Sequence, residues 1–377
     1  MDKKVLVIGC GTMGRGIIAL FLKNNYFVQI YDENKNAIER TINFLNENVE
    51  NYSKNLKILS NLNEIDRETD FVIEAIIENF EEKFKLFKIL EPLLKRDTII
   101  STNTSSLSIN ELSEALNYRE RFLGVHFFNP PLIMKLVEIV LSSWTSQNFL
   151  EKTIEIIKSL SKEIVICKDS PGFIVNRIAR PFYLTALRMY ENGIDFTLID
   201  RVMKVIGFKM GPFELMDLIG IDINYSVSKI IYEKTGLERL KPSKIQEEMI
   251  KKGFLGIKTN KGFYEYPRNY EKFNFKTKLN FFGLYEKENF KFFTIGYGAE
   301  IFDYENENQT VETIRNLGFE HFVLHNFKFS IAKKIIDEIV FEAKEVYKNN
   351  IASKEDINKA MKLGTNYPFN VIGDFKW

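Results

Sequence analysis

The sequence predicts an α/β domain followed by an all-α domain, and three observations carry that prediction. Short apolar strands alternate with amphipathic helices through the first half. A glycine-rich turn joins the first strand to the first helix, and from Pro171 onward the periodicity becomes helical. At 377 residues the chain is long enough for two or three cores.

The elements follow in order. Lys4 to Ile8 is a short run rich in β-branched residues that ends at glycine, which reads as a buried parallel strand. Met13 to Lys23 has helical spacing, Phe27 to Tyr31 is the next strand, and Ala37 to Tyr52 is amphipathic. Residues 57–59, 71–73, 98–100 and 123–126 read as further strands, with a helix from Glu81 to Leu94. The first turn, Gly9-Cys10-Gly11-Thr12-Met13-Gly14, is a GxGxxG between a strand and a helix. It marks a Rossmann-type dinucleotide-binding domain over residues 1–170. Gly9 permits the tight turn, Gly11 lets a pyrophosphate approach, and Gly14 lets helix and strand pack. The amides of Thr12 and Met13 open the helix, whose N-terminus favours phosphate. Asp32 closes the second strand and would accept the adenosine ribose hydroxyls. Asp32 and Glu33 would repel a 2′-phosphate, so the expected cofactor is NAD rather than NADP.

Charge and composition narrow the function. Fifty-two Lys and Arg oppose 51 Asp and Glu, which excludes a global basic field for nucleic acid. Two cysteines, Cys10 and Cys167, and three histidines leave little for a metal site. Lys3 and Lys4 before an apolar run superficially suggest a signal peptide, but Arg15 and the glycines break that run. No apolar stretch reaches the ~20 residues of a membrane span. A soluble, unprocessed, cytoplasmic protein is expected, with no membrane partner.

Chemistry in such a sheet occurs beyond the carboxyl ends of its strands. Two segments fall there, residues 101–106 (Ser-Thr-Asn-Thr-Ser-Ser) and 126–131 (His-Phe-Phe-Asn-Pro-Pro). Hydroxyls and amides of the first suit a polar substrate or the nicotinamide, with Asn103 a candidate for the cofactor. Ser106 or Ser108, with Glu111, also suits a helix start. In the second, Asn129 is a candidate for the substrate and His126 for the general base. Twelve residues on, Glu138 lies in the apolar run Leu136-Val-Glu-Ile-Val140, where a carboxylate is costly unless paired. Imidazole is its natural partner, and the pair suits alcohol oxidation.

The segments GCGTMGRG, FVIEAIIEN, STNTSSLSI, HFFNPPLIMKLVEIV, DSPGFIVNRI and GPFELMDLIG stand in this order through residues 1–266. Together they resemble the L-3-hydroxyacyl-CoA dehydrogenase family. The resemblance implies reversible conversion of (3S)-3-hydroxyacyl-CoA to 3-oxoacyl-CoA, with His126 as base and Glu138 as its partner. It implies further that Ser105 contacts the substrate 3-oxygen, that Asn176 contacts the substrate, and that Glu78 and Lys83 contact the cofactor. Asn260 stands where the family usually has glycine. The cations for the CoA phosphates are not obvious; Lys54 and Lys57 are candidates. A free hydroxy acid, as used by relatives of the family, is the competing substrate class, and a non-catalytic binding protein the competing function.

Residues 171–266 read as the helical domain, with helices over 173–190, 196–206 and 224–235 and Pro181 inside the first. Glu214 and Asp217 read as structural. Residues 267–328 form an aromatic-rich connecting segment with strands near 290–295, 300–304 and 321–324 and a helix over 310–316. Those aromatics suit core packing better than nucleic-acid stacking. Residues 329–377 read as a truncated second copy of the helical domain, Val346-Tyr-Lys-Asn-Asn-Ile351 paralleling Met189-Tyr-Glu-Asn-Gly-Ile194. The copy carries Lys333 where Asn176 would fall, and it favours a monomer over a homodimer.

Overall fold

The computed structural model describes residues 3–269, 283–287 and 289–374. Contacts divide the chain into two compact units. One is Met1–Ile174 with Asn350–Gly364, the other Val175–Asn349 with the residues from Thr365 on.

The first unit is built on an eight-stranded sheet. Its elements run β1 (Lys4–Ile8), α1 (Thr12–Lys23), β2 (Phe27–Tyr31), α2 (Lys35–Asn48), β3 (Leu56–Ile58), β4 (Phe71–Glu74) and α3 (Phe80–Leu90). There follow β5 (Ile99–Thr102), α4 (Ile109–Ser113), β6 (Phe122–Phe127), β7 (Leu136–Leu141), α5 (Gln147–Ser159) and β8 (Glu163–Lys168). The strand order is β3-β2-β1-β4-β5-β6-β7-β8. β1 through β6 are parallel, and the order reverses direction between β1 and β4, which opens a crevice at their carboxyl ends. Val5 to Ile8 are buried on both faces, as a central parallel strand requires.

The sheet extends beyond the sequence reading. Only eight residues separate β6 from β7, too few for a helical crossover, so β7 returns antiparallel and β8 pairs parallel to it. Residues 350–364 lie along β8. The Lys168 amide donates to the Ile351 carbonyl at 2.8 Å, Cys167 and Ala352 form an antiparallel bridge, and Lys359 reaches Glu163 at 2.5 Å. That covering strip blunts an otherwise open edge.

The second unit holds α6 (Val175–Glu191), α7 (Phe196–Val205), α8 (Pro212–Ile219), α9 (Ile221–Thr235) and α10 (Lys244–Lys251). Pro181 sits inside α6 without ending it. The helix starts two residues later than expected because Phe173 adopts φ 51°, which a right-handed helix excludes. Glu214 pairs with Lys204 at 2.9 Å, and Asp217 accepts the amides of Phe263 and Tyr264. Both glutamate and aspartate therefore have the expected structural roles. Asn260 takes the left-handed φ of 58° that a glycine would otherwise supply.

Residues 270–282 and 288 of the aromatic segment lie outside the described residues; the rest forms a small sheet of β9 (Gly283–Lys287), β10 (Phe290–Thr294), β11 (Gly298–Phe302) and β12 (Glu320–Val323), with α11 (Glu307–Asn316) joining the last two. Phe290, Phe292 and Phe319 pack its core with Ile301 and Ile314. The strand β9 was not foreseen.

The described residues of 329–377 are divided between the two units. α12 (Ile331–Lys348) packs on α6 in the second unit, where buried Glu342 binds both Arg177 and Arg239. α13 (Lys354–Thr365) belongs to the first unit, apart from its last residue. The reason is local: β8 needs a covering strip, whereas α12 offers the aliphatic face Ile331, Ile335, Ile336, Ile339 and Val346, all fully buried.

Candidate active site

The glycine turn has the geometry that its sequence requires. Gly9 has φ 100°, and a Cβ there would lie 2.4 Å from the Ala75 carbonyl oxygen. A Cβ on Gly14 would lie 1.8 Å from the Gly9 carbonyl oxygen, so helix and turn touch only because both residues lack side chains. A Cβ on Gly11 would meet nothing within 4 Å. Gly11 is the N-cap of α1, and no side chain caps that turn. A pyrophosphate fits this cradle. Asp32 accepts the Cys10 amide at 2.7 Å through one oxygen and the Asn34 amide at 2.8 Å through the other. Each oxygen keeps a lone pair for a ribose hydroxyl. Burial pushes the neighbouring Cys10 thiol up to about 12, with Asp32 adding to the effect, so the thiol stays protonated beside the turn.

His126 and Glu138 meet directly. They are opposite partners in the antiparallel ladder of β6 and β7, and Nδ1 lies 2.7 Å from the Glu138 Oε2. Glu138 is fully buried and His126 is 7% exposed. The second carboxylate oxygen accepts the Ile174 amide at 3.2 Å. Rings of Phe128 and Phe173 pack on the imidazole with centroids 4.5 and 5.9 Å away. With Nδ1 committed to the carboxylate, Nε2 is the nitrogen left for proton transfer.

The serine-rich loop is held by Glu78. Its Oε1 accepts from the Thr104 hydroxyl at 2.6 Å, the Ser105 amide at 2.9 Å, the Ser106 hydroxyl at 3.0 Å and the Ser105 hydroxyl at 3.3 Å. Burial works to raise the Glu78 pKa, but Lys83 and these donors outweigh it and hold the carboxyl below its ordinary value. Asn103 accepts the Phe127 amide at 2.8 Å, which ties the loop to the residue after His126. Ser108, rather than Ser106, caps α4 through the Glu111 amide.

Lys83 is 1% exposed and its ammonium faces Glu74 and Glu78, so in this conformation it is enclosed by carboxylates rather than presented to a ligand. Lys54 is exposed after α2, at the end of a short turn over Tyr52–Asn55, whereas the Lys57 ammonium donates to the Glu64 carbonyl. Asn129 is exposed after β6. Asn176 lies in the first turn of α6, in the second unit, and is partly buried. Sequence reading passed over Glu74, which is wholly buried at the end of β4. The signal was present: a carboxylate inside Phe71-Val-Ile-Glu-Ala75 is as costly alone as Glu138.

Among the described residues no group of His, Cys, Asp and Glu could hold a metal, and no helix is long and apolar enough to cross a membrane. Residues 4–170 match the model of the 3-hydroxyacyl-CoA dehydrogenase NAD-binding domain, and residues 172–266 that of the 3-hydroxyacyl-CoA dehydrogenase C-terminal domain. The hydroxyacyl-coenzyme A dehydrogenase, mitochondrial, of Sus scrofa is 36% identical over 286 residues, 70% of this chain and 91% of that protein. The 3-hydroxyadipyl-CoA dehydrogenase of Escherichia coli K12 is 31% identical, covering 98% of this chain and 89% of that one. The crystal structure of 3-hydroxybutyryl-CoA dehydrogenase from Escherichia coli K12 superposes with a TM-score of 0.87 at 28% identity, covering 99% of this chain and 90% of that chain.

Proposed function

Because the chain belongs to the 3-hydroxyacyl-CoA dehydrogenase family of NAD-dependent oxidoreductases, we propose that it interconverts (3S)-3-hydroxyacyl-CoA and 3-oxoacyl-CoA, with His126 and Glu138 as the acid–base dyad. The buried cross-strand pair of His126 and Glu138 carries this reading, since an imidazole oriented by a carboxylate can take and return a hydroxyl proton. Bound NAD supplies the hydride acceptor. In the oxidation direction His126 removes the hydroxyl proton through Nε2, and Glu138 stabilises the resulting imidazolium. Gly9, Gly11, Thr12, Met13 and Gly14 receive the cofactor's pyrophosphate, Asp32 its ribose, and Asn103 and Glu78 the region near the serine loop. Ser105, Asn129 and Asn176 contact the acyl-CoA, and Lys54 meets its phosphates. Lys83 acts through Glu78.

NADH oxidation with acetoacetyl-CoA and with 3-oxoadipyl-CoA tests the activity, and its absence with both would reject it. The nearly full-length likeness to a 3-hydroxyadipyl-CoA dehydrogenase favours one variant of this reading, a longer acyl chain with a terminal carboxylate. Comparing kcat/KM for acetoacetyl-CoA and 3-oxoadipyl-CoA separates the two.

Residues 329–377 are read as the truncated second helical copy, and the chain as a monomer. Three correspondences support the copy. Shifting Val175–Glu191 by 157 positions gives 332–348, within one residue of α12. The turns at Gly193 and Asn350 both have positive φ, 88° and 53°. The Asn192 amide bonds the Arg188 carbonyl at 3.1 Å, and Asn349 bonds Glu345 likewise at 3.0 Å. Both cysteines are buried and unpaired, which suits a reducing compartment such as the cytoplasm.

A further inference from the structure

Glu74 occupies a position that no step of the proposed reaction uses, yet three elements of the site converge on it. It is fully buried at the carboxyl end of β4. Its Oε1 accepts the Ile76 amide at 2.7 Å, which shapes the turn that carries Glu78 two residues on. Its Oε2 accepts the Thr102 hydroxyl at 2.6 Å, at the end of the strand that leads into the serine loop. The Lys83 ammonium, from α3, lies 2.5 Å from Glu74 and 3.5 Å from Glu78. One cation therefore serves two carboxylates and leans toward the deeper one. Glu78 is left with charge to spare, and the Thr104, Ser105 and Ser106 donors take it up.

We propose that Glu74 is a positioning residue that sets the direction of the Ser105 hydroxyl, acting through Lys83 and Glu78 and through Thr102. The inference rests on the reading of Ser105 as a substrate contact. Its physical content is a competition for Glu78. With Glu74 charged, Lys83 is held back and Glu78 remains with the loop. With Glu74 neutral, Lys83 has one carboxylate left and draws Glu78 away from Ser105. Lys83 is itself enclosed, so its attraction to whichever carboxylate is charged is only partly screened by solvent. A small misplacement of a substrate-positioning hydroxyl is enough to slow turnover.

The test is a double-mutant cycle on the full chain with Glu74→Gln and Ser105→Ala, assayed with acetoacetyl-CoA and NADH. Glu74→Gln is expected to lower kcat/KM about 10- to 100-fold. In the Ser105→Ala background the same change is expected to cost no more than about twofold, because the hydroxyl it positions is already gone. A purely structural glutamate would give losses that multiply, and that result would overturn the proposal, as would wild-type turnover in Glu74→Gln. Full activity in Ser105→Ala would overturn the Ser105 assignment itself, and the two failures are told apart by the single variants. If Glu74→Gln does not fold, Thr102→Val cuts the second link between Glu74 and the serine loop while leaving Lys83 and both carboxylates in place. Its loss should likewise shrink to about twofold or less in the Ser105→Ala background, and multiplying losses would again overturn the proposal.

Discussion

Glu138 lies directly across the β6–β7 ladder from His126 and divides its oxygens between the imidazole Nδ1 at 2.7 Å and the Ile174 amide at 3.2 Å. The ladder fixes both side chains on one face of the sheet, so the pair needs no loop to assemble it. An orienting carboxylate on rigid backbone keeps one tautomer and one ring direction.

That geometry predicts the effect of losing the base. His126→Gln is expected to lower kcat about 10²- to 10⁴-fold while leaving NADH binding nearly unchanged. Glu138→Gln keeps an acceptor for Ile174 but loses the charge that stabilises an imidazolium, so its kcat should also fall, by less. Steady-state assays with NADH titrations by fluorescence check both. Near-normal turnover in His126→Gln would remove the dyad from the mechanism.

Asp32 predicts cofactor choice. It accepts two backbone amides and retains a lone pair on each oxygen. Asp32→Ala removes a charged acceptor and a repulsive charge, so KM for NADH should rise about 10- to 100-fold and the preference over NADPH should narrow. The check is kcat/KM for both nucleotides in both proteins. A native enzyme that uses NADPH as well as NADH contradicts the reading.

Much of this site was legible because each part has a local physical cause. GxGxxG between a strand and a helix forces a close backbone approach, and Gly9 and Gly14 show why no side chain would fit. Glu138 in an apolar run demanded a partner, and His126 was the histidine in reach. The same reasoning applied to Glu74 and to Glu300 in Ala299-Glu300-Ile301-Phe302 would have found two more buried carboxylates. What stayed hidden is long-range. β7 reverses the sheet because of a short connection and β8 follows it, and the strip at Ile351 and Ala352 covers β8 from about 185 positions away, a pairing no local pattern encodes.

Glu300 predicts a pH dependence of stability. It caps α12, accepting the Ser330 hydroxyl and the Ile331 and Ala332 amides, yet burial outweighs these bonds and raises its pKa from 4.5 to about 7. The folded chain thus keeps a proton that the unfolded chain releases. Stability from this group is complete below about 4.5 and is lost as pH rises through about 7. Asp200, which accepts the Phe213 and Glu214 amides, is raised to about 7 by burial and acts in the same direction. Glu300→Gln should match the native Tm near pH 5 and exceed it at pH 8. Parallel Tm profiles for the two proteins would show that Glu300 does not titrate in this range.

The last prediction concerns oligomeric state. Apolar helix faces must be covered either within the chain or by another copy. Here α12 sets Ile331, Ile335, Ile336, Ile339 and Val346 into the second unit, and Glu342 anchors it to Arg177 and Arg239. A covalently attached helix covers α6 without the translational entropy of association, about 4 kcal/mol or more. The intact chain should therefore run as a monomer of 44.2 kDa by light scattering. Deleting residues 329–377 should uncover the α6 face and the β8 edge together, producing dimers or aggregates. Arg177→Ala with Arg239→Ala is a gentler perturbation: it leaves Glu342 buried without partners, so α12 should loosen and the Tm should fall. A tight dimer of the intact chain through residues 172–240 would show that α12 does not replace a partner's helix.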